Sequence, residues 1–211
     1  NCSYKDITNI LPKVIFYTEN PLFRSAPVPM YLLSSLVNRQ NVKVILSGEG
    51  ADEAFFGYNI FKELKIRLFW SKFPKSKIRP KLLKKLYNFL PNFSDTNYKY
   101  ILNFFSKFLK EKKKLDFSHQ VRWSNNNMLR NFLSQNYFSR ITKKENSDIF
   151  PKNFSSYSAL QKARFLEVKT LLEGYLLSSQ GDRVALANQV EGRYPFLDHE
   201  LWESISNFNE L

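Results

Sequence analysis

Along most of this chain apolar residues recur at steps of three and four, the spacing that lines one face of a helix. The strongest such pattern, Leu160, Ala163, Leu166, Leu171, Leu172, Tyr175 and Leu176, predicts a helix from Ala159 to Ser179. Gly174 weakens it, Gly181 suits the C′ position beyond it, and Asp182 reads as the cap of a next helix carrying Arg183, Val184 and Ala187. Near the start, a short helix over Asp6–Leu11 is expected to stop at about Pro12. Met30, Leu32, Leu33, Leu36 and Val37 then predict a helix over Pro29–Asn38 with those residues on one buried face. Pro74, Pro80, Pro91 and Pro151 cut the middle into helices and connectors, with basic amphipathic helices over Lys81–Leu90 and Tyr100–Leu115 and a third over Val121–Asn136. Asp198 is placed to cap a last helix through Leu201, Trp202 and Ile205. One stretch breaks the rhythm: Val42-Lys43-Val44-Ile45-Leu46 is mostly β-branched or aliphatic and too short for a helix, and predicts a strand buried on both faces.

The residues just after that strand carry the candidate chemistry. Ser47-Gly48-Glu49-Gly50-Ala51 puts two glycines among small residues where the chain must turn. Asp52 and Glu53 then open the apolar run Ala54-Phe55-Phe56, as acids do in a helix's first turn. Helix, strand, loop and helix in this order form one βα step of a parallel sheet, and ligands sit at the carboxyl ends of such strands. Backbone amides there suit an anion, and Asp52 and Glu49 suit Mg²⁺ or a cationic group.

Charge changes the reading of the middle only. Of a net +13, the whole excess lies between Lys62 and Lys114, with 16 Lys and Arg against 3 Asp and Glu; the rest has 16 of each. These cations alternate with Leu, Ile, Phe and Trp at helical spacing, the pattern of a solvated helix face rather than of a nucleic-acid groove. Lys112-Lys113-Lys114 reads as a helix end in solvent, and His119 with Arg122-Trp123 as a packing interface or a site cluster. With 43% apolar and 16% aromatic residues the chain is globular. No run approaches the ~18 uninterrupted apolar residues of a membrane span. A single cysteine excludes an internal disulfide framework and fits a reducing cytoplasm. The chain begins Asn1-Cys2 with neither an initiator Met nor an apolar leader, so a piece of a longer cytoplasmic protein is expected.

Two blocks carry a resemblance. Ser47-Gly48-Glu49-Gly50-Ala51-Asp52-Glu53, closed by Phe56-Gly57-Tyr58, resembles the nucleotide-site loop of the asparagine synthetase family, usually written SGEGxDE…GGY. Far downstream, Asp182-Arg183-Val184-Ala185 through Glu191-Gly192-Arg193-Tyr194-Pro195-Phe196-Leu197-Asp198 resembles the family's DR…(E)xRxPFLD block. The resemblance implies an α/β fold, part of a doubly wound parallel sheet (adenine-nucleotide α-hydrolase-like) with a large helical portion. It divides the chain into 1–62, the later βα part of the ATP-binding core; 63–157, a basic helical arm; and 158–211, a helical C-terminal block.

It also implies an activity: ATP activates aspartate as an acyl-adenylate with release of pyrophosphate, and ammonia drawn from glutamine displaces AMP to give asparagine. By resemblance Ser47, Gly48 and Gly50 bind the nucleotide, Glu49 sits beside the activated acyl group, and Asp52 holds Mg²⁺ with pyrophosphate. Glu191 and Arg193 bracket the site from the second block or form a buried ion pair between helices; both readings stay open. Tyr58 reads as packing. Cys2 is followed by Ser3-Tyr4 and is not read as the family's glutaminase nucleophile. The chain lacks the SGGxDSS pyrophosphate loop, the glutaminase domain and the lysine region after PFLD, so these 211 residues alone are expected to be inactive. The resemblance allows a homodimer of the full-length protein and involves no membrane. Its competitors are a β-lactam synthetase-like enzyme that adenylates another carboxylate and a nucleic-acid-binding module built on the basic arm.

Overall fold

The computed structural model describes residues 2–87, 95–126, 131–135 and 150–206. They form a mixed α/β chain of mostly helices with a small parallel sheet, in two compact units: residues 1–56 with 167–211, and residues 57–166. The predicted helix ends at 88–90 and 136, and the break at Pro91, lie outside the described residues.

The first unit opens with helix α1 (Tyr4–Thr18). Ser3 caps it: the Asp6 amide donates to Ser3 Oγ at 3.2 Å, and the Ser3 amide donates to the Asp6 carboxylate at 2.8 Å. The helix runs straight through Pro12, where the sequence predicts a stop. An internal proline costs about 3 kcal/mol. Here the continued helix buries Val14 completely and brings Tyr17 to the cluster that already holds Ile7, Ile10 and Leu11, which offsets that cost. Helix α2 (Pro27–Arg39) starts on Pro27, which lacks the amide that a helix start leaves unpaired. Its buried face is Val28, Tyr31 and Ser34, not the expected apolar row; Leu33 and Leu36 are about half exposed. The polar member of this face is satisfied, since Ser34 Oγ donates to Val184 O at 3.0 Å and Asn188 Nδ2 donates to Ser34 Oγ at 2.9 Å.

Strand β1 (Val44–Leu46) is shorter than predicted and is not buried on both faces: Val44 is 38% and Leu46 74% exposed. It pairs in parallel with β2 (Glu191–Arg193), in the register Val44 with Glu191, Ile45 with Gly192 and Leu46 with Arg193. Short α3 (Ala51–Ala54) follows the β1 loop.

The second unit holds α4 (Asn59–Ser71), α5 (Lys81–Leu86), α6 (Asp95–Ser106), α7 (Gln120–Asn126) and α8 (Ala159–Glu167). The helix predicted over Tyr100–Leu115 instead starts earlier and stops at Ser106, because Phe108 takes a left-handed backbone (φ 61°) before a short 3₁₀ turn at Leu109–Glu111. That break lets Leu109 join Trp70, Leu83, Phe105 and Val121 in the core. Beyond α8 the chain does not continue as a plain α-helix. Val168–Asp182 is π-helical, so the Arg183 amide still reaches Ser178 O five residues back. Gly181 therefore lies inside a helix rather than at a C′ position, and Asp182 has helical dihedrals rather than a cap's. Helix α9 (Arg183–Leu186) continues it and buries Val184 against Val14, Val28 and Tyr31. After β2 and a 3₁₀ turn at Pro195–Leu197 comes α10 (His199–Ser206), capped as expected by Asp198, which accepts from the Leu201 amide at 3.1 Å.

Candidate functional site

The β1–β2 pairing joins the two motif blocks, which stand some 140 positions apart in the chain. The pairing extends one residue into the loop, where the Ser47 amide donates to Arg193 O at 2.8 Å. Ser47 thus spends its amide on the sheet and keeps its hydroxyl. The amides of Gly48, Glu49 and Gly50 have no hydrogen-bond partner among the described residues. Gly48 is exposed, and a Cβ added there would meet nothing within 4 Å. The turn is made at Gly50, whose φ of +93° is a conformation that L side chains rarely adopt. A Cβ at Gly50 would also run into Leu197 Cδ2, so the second block closes directly over the loop. The edge-on contact of Phe55 with Phe196, 6.1 Å between centroids, reinforces this closure.

Two carboxylates flank the turn. Asp52 is exposed in the first turn of α3, and Glu49 is half-buried. Burial, first, pushes the Glu49 carboxyl above its ordinary value; the Arg24 charge opposes this, Asp52 adds to it, and a hydrogen bond with Gln180 opposes it. Arg24 was missed by the motif reading. Its guanidinium lies 5.0 Å from the Tyr175 ring centroid, its Nη2 donates to Gln180 Oε1 at 3.2 Å, and its carbonyl accepts from Tyr175 Oη at 3.1 Å. The available signal was that Arg24 is the one charged residue between Glu19 and Arg39. Gln180 carried no signal, because only the end of the π-helical stretch brings it to Glu49.

Glu191 and Arg193 lie two apart on β2 and so share a face, where Arg193 Nε donates to Glu191 Oε1 at 2.8 Å. Both are more than half exposed, which overturns the buried ion pair between helices. Tyr58 stacks on Phe61 at 6.5 Å. Asp182 accepts a hydrogen bond from Tyr194 Oη at 2.7 Å. His119, Arg122 and Trp123 belong to the second unit's packing: the His119 and Trp123 rings lie 5.2 Å apart, and Arg122 pairs with buried Glu63 at 2.6 Å.

Free loop amides, one exposed carboxylate and one half-buried carboxylate beside a guanidinium suit a ligand that carries both an anionic group and a reacting carbonyl. Among the described residues no group of three or more His, Cys, Asp or Glu forms a metal cage. That does not conflict with Mg²⁺, which is bound through one or two carboxylates together with substrate phosphates and waters; exposed Asp52 fits that arrangement.

Mostly helices around a small parallel sheet place this chain among mixed α/β proteins, a class in which ligands sit at the carboxyl ends of strands. The chain belongs to the asparagine synthase family, whose model, described as Asparagine synthase, matches residues 1–210. It is 28% identical over 216 residues to asparagine synthetase [glutamine-hydrolyzing] 1 of Bacillus subtilis, a match covering 97% of this chain and 30% of that protein. It is 29% identical over 193 residues to a putative asparagine synthetase [glutamine-hydrolyzing] of Mycobacterium tuberculosis, covering 91% and 28%. It is also 26% identical over 211 residues to the amidase chyE of Penicillium rubens, covering 92% and 30%. The chain thus spans somewhat under a third of the length of these relatives. No solved structure matches it significantly.

Proposed function

We propose that this chain supplies the strand-end site of an ATP-dependent asparagine synthetase, which adenylates aspartate and transfers ammonia from glutamine to give asparagine, AMP and pyrophosphate. The observation that carries this reading is the parallel pairing of β1 with β2, sealed by the Ser47 amide on Arg193 O, which assembles both family-like blocks around one loop. In this reading the sheet is a portion of a doubly wound, adenine-nucleotide α-hydrolase-like fold. The partition into 1–62, a basic arm over 63–157 and 158–211 is part of the proposal, as are a glutaminase partner domain, a cytoplasmic location and a homodimer. Among the described residues no helix is long and apolar enough to cross a membrane.

Each residue then has a task. The Ser47 hydroxyl and the amides of Gly48 and Gly50 hold the nucleotide's anionic part, since preorganised donors need no reorganisation as charge develops. Asp52 would hold Mg²⁺, which when bound neutralises phosphate charge. Glu49 stands beside the reacting carbonyl, and burial, which raises its affinity for a proton, suits it to accept one from incoming ammonia. Arg24, held against Tyr175, supplies a fixed positive charge beside Glu49. Glu191 and Arg193 present an exposed charge pair on the second block.

The test is aspartate-dependent ATP–pyrophosphate exchange by the protein as expressed from its own gene. The expected result is exchange that requires aspartate and Mg²⁺ and is lost with Asp52→Asn. Exchange driven by a different carboxylate would favour a related adenylating enzyme. No exchange with any amino acid would overturn the proposal.

A further inference from the structure

One side chain accounts for two glycines of the second block. A Cβ at Gly181 would lie 2.7 Å from Tyr194 Oη, and one at Gly192 would lie 2.8 Å from the same oxygen and 3.1 Å from Cζ. Neither glycine has the positive φ that explains Gly50. They are small because the phenol fills the space between the end of the π-helical stretch and β2. Its hydroxyl is fixed there by donation to Asp182 Oδ1 at 2.7 Å. The ring also adjoins the loop described above, because the Ser47 amide donates to the carbonyl of Arg193, the residue before Tyr194, and Leu197, three residues after it, closes over Gly50.

We propose that Tyr194 is the specificity-determining wall of the acyl pocket, its ring limiting how long a carboxylic acid can reach Glu49. The inference rests on the reading of Glu49 as the residue beside the activated acyl group. If the acid lies against Glu49, the volume held by the phenol is the next space a longer chain would enter. Gly181 and Gly192 leave that space to the ring, and the Asp182 bond holds the ring in it. Aspartate then fits, and glutamate, one methylene longer, meets the ring. One methylene in a shaped pocket discriminates by about 10–200-fold.

The test measures kcat/KM for aspartate and for glutamate in ATP–pyrophosphate exchange, with the full protein, for the wild type and for Tyr194→Ala and Tyr194→Phe. Tyr194→Ala is expected to move the aspartate-to-glutamate ratio towards glutamate by at least about tenfold. Tyr194→Phe keeps the ring and is expected to keep the ratio. A purely structural role would lower both activities together and leave the ratio unmoved. Where Tyr194→Ala fails to fold by circular dichroism, Tyr194→Leu, which lacks the ring's far edge, carries the same measurement. An active wild type whose ratio is unchanged in the shortened variants overturns the inference alone. A wild type with no aspartate-dependent exchange overturns the functional reading and the inference with it.

Discussion

Each of the two units keeps a group of charged side chains, and the groups are built differently. In the second unit Glu63 and Arg67 are almost completely buried. Glu63 accepts from Tyr87 Oη and pairs with Arg122 at 2.6 Å. The Arg67 guanidinium donates to Phe117 O at 2.5 Å and to Lys107 O at 3.1 Å, and stacks 4.0 Å from the Phe117 ring centroid. Burial lowers the Arg67 pKa to about 10 and raises that of Tyr87. In the first unit Glu49, Asp52, Glu191 and Arg193 are half-buried or exposed and are gathered from a loop, the first turn of α3 and a strand. Perturbed ionisation is therefore not by itself the mark of a site. The second unit's strongest shifts belong to groups sealed in packing, where polar partners let four helical segments meet. The first unit's single resolved carboxylate shift among these residues belongs to a group with an open side.

This contrast fails if Arg67 proves dispensable to folding. Arg67→Met leaves two carbonyls without their donor and the buried Glu63 carboxylate with less compensating charge. The expected loss is about 3–5 kcal/mol, read by urea unfolding through Trp70 and Trp123, both in this unit. Loop charges should act on rate instead. Glu49→Gln or Asp52→Asn is expected to lower synthesis by about 10²–10³-fold, or roughly 2.7–4 kcal/mol of barrier, with Asp52→Asn acting on the Mg²⁺-dependent exchange and Glu49→Gln on amide formation. Wild-type kinetics in both would reduce the loop to a turn.

Smaller effects sharpen the comparison. Gly50→Ala should cost about 1–3 kcal/mol from the left-handed backbone alone, beyond its collision with Leu197, and thermal melts should register it. Glu49 gives a pH signature of defined sign. Its folded pKa is raised, so its contribution to stability is fully present below the ordinary carboxyl value of 4.5 and is lost as pH rises through the folded value. Glu49→Gln should therefore melt above the wild type at pH 7, with the gap closing as pH falls below 4.5. A Glu49→Gln variant that melts below the wild type at pH 7 would mean that Arg24 and Gln180 outweigh burial. The smallest effect belongs to the basic arm: exposed Lys84, Lys85, Lys112 and Lys113 changed to Gln should each shift stability by no more than about 0.5 kcal/mol. Nucleic-acid binding, where measured, should be weak and steeply salt-dependent, without sequence preference; tight, salt-resistant binding abolished by those four changes would give the arm a role of its own.

The loop, the glycine that turns it, the acids that follow it, the Asp198 cap and the existence of helices around them are written in the order of residues. These depend on local causes: a left-handed backbone needs glycine, a helix start needs an acceptor, and spacing sets a face. Which faces are buried was settled by long-range packing, and it carried α1 through Pro12 because the packing of Val14 outweighs a lost hydrogen bond. It alone widened Val168–Asp182 into a π-helix, which moved Gly181 and Asp182 off a helix end and set Gln180 against Glu49. It also left β1 exposed, because a strand's burial depends on what covers it and not on its own side chains. Arg24, Gln180 and Tyr194 became legible only then, since each acquires its role from residues more than ten positions away, a distance at which sequence spacing carries no geometric information.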